Sequence, residues 1–345
     1  MIFFRADSNS QIGMGHLMRC LSVAGKLKEM TDVSFLCAYG SASDFVIAKG
    51  IEAETLNSDP FSPEEVPEIL EILSDKDIIV LDSYLYSENY VKELRKKVKV
   101  IIFDDMIATP FEASALINYN TYASLEEYIS LYESKKEHPL FILGGEYAPL
   151  RDEFSNATKE FSPIVKNILI TTGGGDSENL GGEIASRLLS DLSMDIQIHL
   201  VCGAVNPFYD EWCRLAKDKK NLEVHRCVTN MAELMRRCDL AVSAGGSTCY
   251  ELCATGVPFV VFSFAENQKK LARNMQDEGV AVFSGNIENG DSRKAVIDSV
   301  IQNIHQLIED DALRKGLYDR CNKLVDGQGA RRLAEIIYKI MEGKS

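Results

Sequence analysis

Short, continuous runs of Val, Ile, Leu and Phe alternate with amphipathic helical patterns along almost the whole chain. Such runs are expected at residues 2–5, 33–38, 78–81, 98–103, 115–117 and 140–143. They resume at 167–172, 196–201, 222–225, 240–243 and 259–262. Helical spacing fills most of the intervals, for example 63–74 and 87–97. A strand that is apolar on both sides must be covered on both faces. When helices separate such strands, the sheet is parallel and the helices are its crossovers. The pattern therefore predicts an α/β chain, and it starts twice. Between the two series lies the polar stretch "LRDEFSNATKEFSPIV", which ends at Ser162-Pro163. We expect an N-terminal domain over residues 1–155, a second domain over 163–328, and a terminal helix over 329–345 that packs back on the first domain.

Composition narrows the partners. The 345 residues carry 37 basic and 52 acidic side chains, a net charge of −15. This opposes nucleic-acid binding, which needs a basic surface, and electrostatic docking on anionic lipid. The longest strongly apolar run, 258–265, is too short to span a bilayer. No basic segment precedes an apolar stretch at the N-terminus, so no secretion signal is expected. The nine cysteines include no C-x-x-C pair and read as buried thiols in a reducing cytoplasm. No His/Asp/Glu cluster has metal-ligand spacing, so no metal and no cofactor are expected. The expected partner is a small molecule acting on a monomer.

Chemistry concentrates in the turns that follow strands. "RADSNSQIGMGHLMRCL", residues 5–21, is a strand end, a polar loop and a helix start. Gly13 and Gly15 match part of a G-x-G-x-x-G dinucleotide turn, but Met18 stands at the last position, and no Walker Gly-Lys-Ser/Thr follows. What remains is a glycine loop that lets a ligand approach a helix N-terminus, with His16 in the first turn and Arg5, Asp7, Asn9 and Gln11 around it. Ligands of parallel sheets bind at the carboxyl ends of strands, which favours a functional histidine over a chance surface one.

A second turn, Thr172-Gly173-Gly174-Gly175-Asp176, has the same position after a strand. A third lies in "VSAGGSTCYELCATGVPFVVFSFAENQ", residues 242–268. There the N–H groups of Gly246, Ser247 and Thr248 would face an anion. Glu251 is either the acid of a Thr248-x-x-Glu251 capping box or a carboxylate for ribose hydroxyls. Asn267-Gln268 open the next helix. Asp82-Ser83-Tyr84 and Asp104-Asp105 are further strand-end candidates, and acids there also serve as caps.

Together these stretches, with "DSY" and "FDD", resemble the UDP-sugar hydrolases of the pseudaminic acid pathway and their spore-coat polysaccharide relatives, in order over nearly the whole chain. The resemblance implies a glycosyltransferase-B fold, two Rossmann-like domains with parallel sheets facing a cleft. It implies metal-free release of UDP from a 2,4-diacetamido-2,4,6-trideoxy-β-L-altropyranose donor. Residue by residue, it makes His16 the catalytic base and Tyr84 the catalytic tyrosine of a D-x-Y segment, with Ser83 where many members have histidine. It makes Arg5, Gly13, Gly15, Asp105, Gly173, Gly174, Asp176, Val228, Ser247, Thr248, Glu251, Asn267 and Gln268 substrate-binding, with uracil on backbone at 226–228.

In such a site helix N-termini hold the diphosphate, whose charge grows as it leaves. Water reaches the oxocarbenium-like anomeric carbon from the opposite face, which inverts it. A histidine, with a free pKa near ~6.5, suits that water's proton. Attack at phosphorus stays open as an alternative, and either Asp104 or Asp105 is a candidate to orient the imidazole or to hold the sugar's amides. The rivals are a glycosyltransferase acting on a lipid-linked cell-wall precursor, a UDP-sugar 2-epimerase and a non-catalytic nucleotide-sugar-binding regulator. Residues 1–150 hold 13 basic and 24 acidic side chains, a balance of −11, which disfavours a membrane-docking transferase.

Overall fold

The computed structural model describes residues 1–9, 13–173, 176–204 and 206–343, and of Asp291 the backbone alone. Gln11, Gly174 and Gly175 thus lie outside the described residues. The chain forms two compact units, residues 1–151 with 328–345, and residues 152–327.

The first unit contains β1 (Ile2–Ala6), β2 (Val33–Cys37), β3 (Glu52–Thr55), β4 (Ile78–Asp82), β5 (Lys99–Phe103), β6 (Ala115–Asn118) and β7 (Leu140–Leu143). The second contains β8 (Asn167–Thr171), β9 (Gln197–Cys202), β10 (Leu222–Arg226), β11 (Leu240–Ala244), β12 (Phe259–Ser263) and β13 (Ala281–Asn286). Both sheets are wholly parallel, in the orders β3-β2-β1-β4-β5-β6-β7 and β10-β9-β8-β11-β12-β13. β3 and β13 were not legible in the sequence. Both are edge strands with largely exposed or half-buried residues, so neither is a continuous apolar run.

In each sheet the first strand is central: β1 lies between β2 and β4, and β8 between β9 and β11. Successive crossovers therefore run in opposite directions from β1 and from β8. This opens a crevice at the carboxyl ends of β1 and β4, and another at those of β8 and β11. The sequence places its glycine turns at these two points.

The helix Gly15–Leu27 follows β1 and buries Leu17, Cys20, Leu21, Ala24 and Leu27 at helical spacing. The C-terminal helix Gly329–Met341 packs against it and buries Leu333, Ala334 and Ile337. Leu333 and Ile337 each contribute roughly 1.5–3 kcal/mol by leaving water. That joins the chain's last helix to its first unit. Gly329 lies directly against the Ala148 carbonyl, where no Cβ fits. Among the described residues no helix is long and apolar enough to cross a membrane.

Candidate active site

At the crevice of the first unit the structure assembles a charged network around His16. Gly13 takes φ +76°, a backbone state that disfavours side chains, and its N–H donates to the Asn9 carbonyl at 2.9 Å. The helix begins at Gly15. His16 then reaches the end of β4, where its Nδ1 lies 2.6 Å from Asp82 Oδ1.

Asp82 is fully buried and also accepts from Arg19: Nε to Oδ2 at 2.6 Å and Nη2 to Oδ1 at 2.6 Å. Burial pushes its carboxyl up, but the charge and hydrogen bonds of Arg19, followed by those of His16, outweigh this and hold it at about 2. A carboxylate so acidic has no proton to give, so His16 Nδ1–H is the donor. The tautomer is thereby fixed, and Nε2 keeps its lone pair.

Arg19 grips a second acid. Its Nη1 and Nη2 donate to Asp105 Oδ1 and Oδ2 at 3.0 and 2.9 Å, and Nη1 also donates to the Tyr119 hydroxyl at 3.1 Å. Burial lowers the guanidinium pKa, yet Asp82 and Asp105 raise it more, and it stays charged. Asp105 accepts from the Tyr84 hydroxyl at 3.0 Å and from Asn120 Nδ2 at 3.1 Å. The Tyr84 ring meets the His16 ring edge-on, with centroids 4.7 Å apart. Burial, and then the charge of Asp105, hold the Tyr84 phenol well above its ordinary pKa. Tyr84 is thus a hydrogen-bond donor at neutral pH and does not act as a base.

Counting these groups, one arginine faces two carboxylates, so the network carries an excess negative charge beside His16.

The structure brings His16, Tyr84 and Asp105 together and corrects the neighbouring expectations. Asp82 orients the imidazole; neither Asp104 nor Asp105 does so. Asp104 turns inward, accepting from the Tyr128 hydroxyl at 2.9 Å and from the N–H groups of Met106 and Ile107 at 3.1 and 3.2 Å. Arg5, expected to bind substrate, is held by the protein's own acids. It is wholly buried, paired with Glu65 at 2.6 Å and with Asp7, and lies 4.2 Å from the Phe61 ring centroid.

Arg19 was missed in the sequence. The available signal was a charged residue on the helix face that buries Leu17 and Cys20, three positions after His16. Tyr119 and Asn120 left no comparable signal.

At the crevice of the second unit, Gly173 takes φ +88° just after β8. Asp176 is another correction. Its carboxylate is buried and accepts from the Leu180 and Gly181 N–H groups at 2.9 and 2.7 Å and from Thr172 Oγ1 at 3.1 Å. It closes the N-terminus of the helix Leu180–Asp191, so both carboxylate oxygens are engaged by the protein's own donors.

The helix Thr248–Thr255 after β11 is different. Thr248 is its first residue and Ser247, before it, makes no side-chain cap, so the expected Thr248-x-x-Glu251 capping box does not form. The Gly246 N–H is taken by the Ala244 carbonyl at 2.8 Å, so it too leaves the expected anion site. Among the described residues the N–H groups of Ser247 and Thr248 have no acceptor. Glu251 sits one turn further on and is half-buried. Gly245 admits the next helix, Glu266–Asp277: a Cβ there would stand 2.7 Å from the Gln268 carbonyl. Asn267 is exposed in the first turn of that helix, and Gln268 Oε1 accepts from the Phe264 N–H at 3.1 Å. Val228 lies in the loop between β10 and the helix Met231–Arg237.

Two parallel-sheet α/β domains of seven and six strands, each with its turns at the sheet's reversal point, define a glycosyltransferase-B fold. Solved structures share it at low sequence identity. MurG of Acinetobacter baumannii superposes with a TM-score of 0.68 at 13% identity, over 98% of this chain and 99% of that one. UDP-GlcNAc 2-epimerase of Neisseria meningitidis gives 0.63 at 14%, over 98% and 100%.

Residues 167–318 match the Glycosyltransferase family 28 C-terminal domain. The UDP-2,4-diacetamido-2,4,6-trideoxy-beta-L-altropyranose hydrolase of Campylobacter jejuni is 28% identical, over 81% of this chain and 98% of its own length. The spore coat polysaccharide biosynthesis protein SpsG of Bacillus subtilis is 23% identical, over 98% and 97%. An uncharacterised protein of Methanocaldococcus jannaschii is 29% identical over 76% of this chain, which spans 56% of that relative.

Proposed function

We propose that the chain is a UDP-sugar hydrolase. It releases UDP from UDP-2,4-diacetamido-2,4,6-trideoxy-β-L-altropyranose, or a closely related UDP-amino-deoxysugar, by attack of water at the anomeric carbon with inversion. This is a step in pseudaminic acid biosynthesis. The observation that carries the reading is the His16 imidazole with Nδ1–H on a buried carboxylate and, among the described residues, no partner at Nε2. That is the arrangement of a general base. The name of the Campylobacter jejuni relative supports the substrate class.

In this reading the first unit supplies the base and holds the sugar, and the second holds UDP. His16 Nε2 takes a proton from water as the oxygen bonds to C1. The C1–O bond to the diphosphate breaks, and its electron pair leaves with UDP. Asp82 holds the imidazole in place and faces the charge that develops on the ring as the proton arrives. Tyr84 donates to Asp105 and packs its ring on His16, which limits rotation of the base. The Ser247 and Thr248 N–H groups meet the departing diphosphate, and Glu251 accepts from the ribose. These groups carry the developing charges themselves, so the proposed step uses no metal or cofactor.

The test is UDP release from the donor with no acceptor, with and without EDTA, run in ¹⁸O-labelled water. Hydrolysis at C1 puts the label on the free sugar and gives the inverted anomer. Label on UDP instead means attack at phosphorus. UDP release that appears only on adding an acceptor, or isomerised UDP-sugar without UDP release, overturns the reading in favour of a transferase or an epimerase.

A further inference from the structure

The second unit holds a cluster that the proposed chemistry does not use. His199 lies on β9, and Glu223 and His225 lie two apart on β10, with Glu223 directly opposite His199 in the parallel register. Strand alternation sends Ile198, Leu200 and Leu222 into the apolar core and these three side chains to the other face. His199 Nδ1 stands 3.1 Å from His225 Nε2 and 3.3 Å from Glu223 Oε2, and His225 Nε2 stands 3.8 Å from Glu223 Oε1.

His199 Nε2 lies 3.1 Å from Asn167 Oδ1, an acceptor, so its proton is on Nε2. Its Nδ1 lone pair then faces the Glu223 carboxylate. In the metal-free chain the His225 Nε2–H, 3.1 Å away, donates to that lone pair, and moving this proton to His225 Nδ1 leaves two imidazole lone pairs beside one carboxylate. We infer that His199, Glu223 and His225 form a binding site for a divalent transition metal of the zinc class.

Zinc bonds to imidazole nitrogen at about 2.0–2.1 Å and to carboxylate oxygen at about 2.0–2.2 Å, so neighbouring donors in a tetrahedral shell stand roughly 3.3–3.5 Å apart. The 3.1 Å between the two imidazole nitrogens and the 3.3 Å from His199 Nδ1 to Glu223 Oε2 lie near that edge; the 3.8 Å contact of His225 is to the other carboxylate oxygen, Oε1, so a small turn of the exposed Glu223 side chain presents one oxygen to both rings. Two imidazoles and one carboxylate are a zinc donor set with one position left over. Glu223 is half exposed, so this position opens to solvent. His199 binds through Nδ1, with Asn167 fixing its tautomer from behind in the way an outer-shell carbonyl does. His225 binds through Nε2 after its proton moves to Nδ1. Arg237, 4.0 Å from Glu223 Oε2 and mostly exposed, swings out when a cation enters. The site clamps the edge strand β10 to β9 and is built independently of the His16 network. The sequence hid it because the strand pairing, not the spacing, joins His199 to Glu223-x-His225.

The test uses the untagged full chain, stripped with EDTA and returned to metal-free buffer. Calorimetric titration with Zn(II) should show one equivalent bound, and the melting temperature should rise with free metal. Co(II) should give visible tetrahedral bands without a near-ultraviolet thiolate band. Glu223→Gln, at a half-exposed position, should keep the metal-free melting temperature and bind at least ~100-fold more weakly, as should His225→Gln. Asn167→Ala should cost about 10- to 100-fold. Cys227→Ser, which alters an exposed thiol close by, should bind like the parent protein. The inference is overturned by no saturable binding below ~100 µM, by undiminished binding in Glu223→Gln and His225→Gln, or by a thiolate band lost in Cys227→Ser.

Discussion

Asp82→Asn tests the active-site reasoning most directly. The substitution keeps shape and removes one charge. The carboxylate lies 2.6 Å from His16 Nδ1, so its attraction for an imidazolium is about 6 kcal/mol at an effective dielectric near 20. Arg19 shares the same carboxylate, which offsets part of this. Taking roughly half as the transition-state share gives ~3 kcal/mol, or about 10² in rate. The asparagine amide adds a second loss, because its NH₂ can face Nδ1 and push the proton to Nε2. An Asp-to-Asn change behind a catalytic imidazole then costs up to ~10⁴ in kcat.

We expect kcat to fall by about 10²–10⁴ with KM little changed. Arg19 keeps its two-point contact with Asp105 at 2.9 and 3.0 Å, so the guanidinium is not stranded and the variant should fold. The assay is steady-state UDP release, with UDP affinity and a melting curve on the same sample. The double variant His16→Asn/Asp82→Asn should be hardly slower than His16→Asn alone, since the two residues act as a unit. A folded Asp82→Asn protein with kcat within tenfold of the parent would refute the general-base assignment.

Other expectations rest on single contacts. Glu251→Gln should weaken UDP binding by about 1.5–3 kcal/mol in a titration, the worth of a charge-assisted hydrogen bond, and unchanged affinity would remove Glu251 from the nucleotide site. Tyr84→Phe should lower kcat no more than about tenfold and leave the alkaline side of the rate profile in place, because the phenol keeps its proton throughout; loss of an alkaline limb would show the phenol to be the acid that titrates there. Gly245→Ala should lower stability by about 1–3 kcal/mol in urea unfolding, since a Cβ 2.7 Å from the Gln268 carbonyl must displace the helix Glu266–Asp277. Asp82, held at about 2 against an ordinary 3.8, adds stability that is full above pH ~4 and lost as pH falls through ~2. The gap in unfolding free energy between the parent and Asp82→Asn should close over that window.

The sequence alone determined the architecture, because a central strand must be apolar on both faces and nearly every crossover is a helix, the β5–β6 connection being the exception. Those demands are written locally as apolar runs and 3.6-residue stripes. It also marked the turns at the crevices of the two sheets, since a glycine turn after a central strand stands at the carboxyl end of the sheet. His16, Gly173 and Ser247 stand at those turns. The edge strands β3 and β13 escaped because an edge needs only partial burial.

Tertiary structure decided the partners of each polar side chain. Arg5 and Asp176 have the types and positions of ligand-binding residues, yet Glu65 and the Leu180 N–H claim them. Asp82 rather than Asp104 or Asp105 meets His16 because β4, not β5, is the neighbour of β1. His199 meets His225 because β10 pairs with β9 in one register. An apolar pattern acts over a few residues and survives translation along the chain. A hydrogen bond or an ion pair depends on two atoms standing within about 3 Å, and only the packed sheet sets that distance.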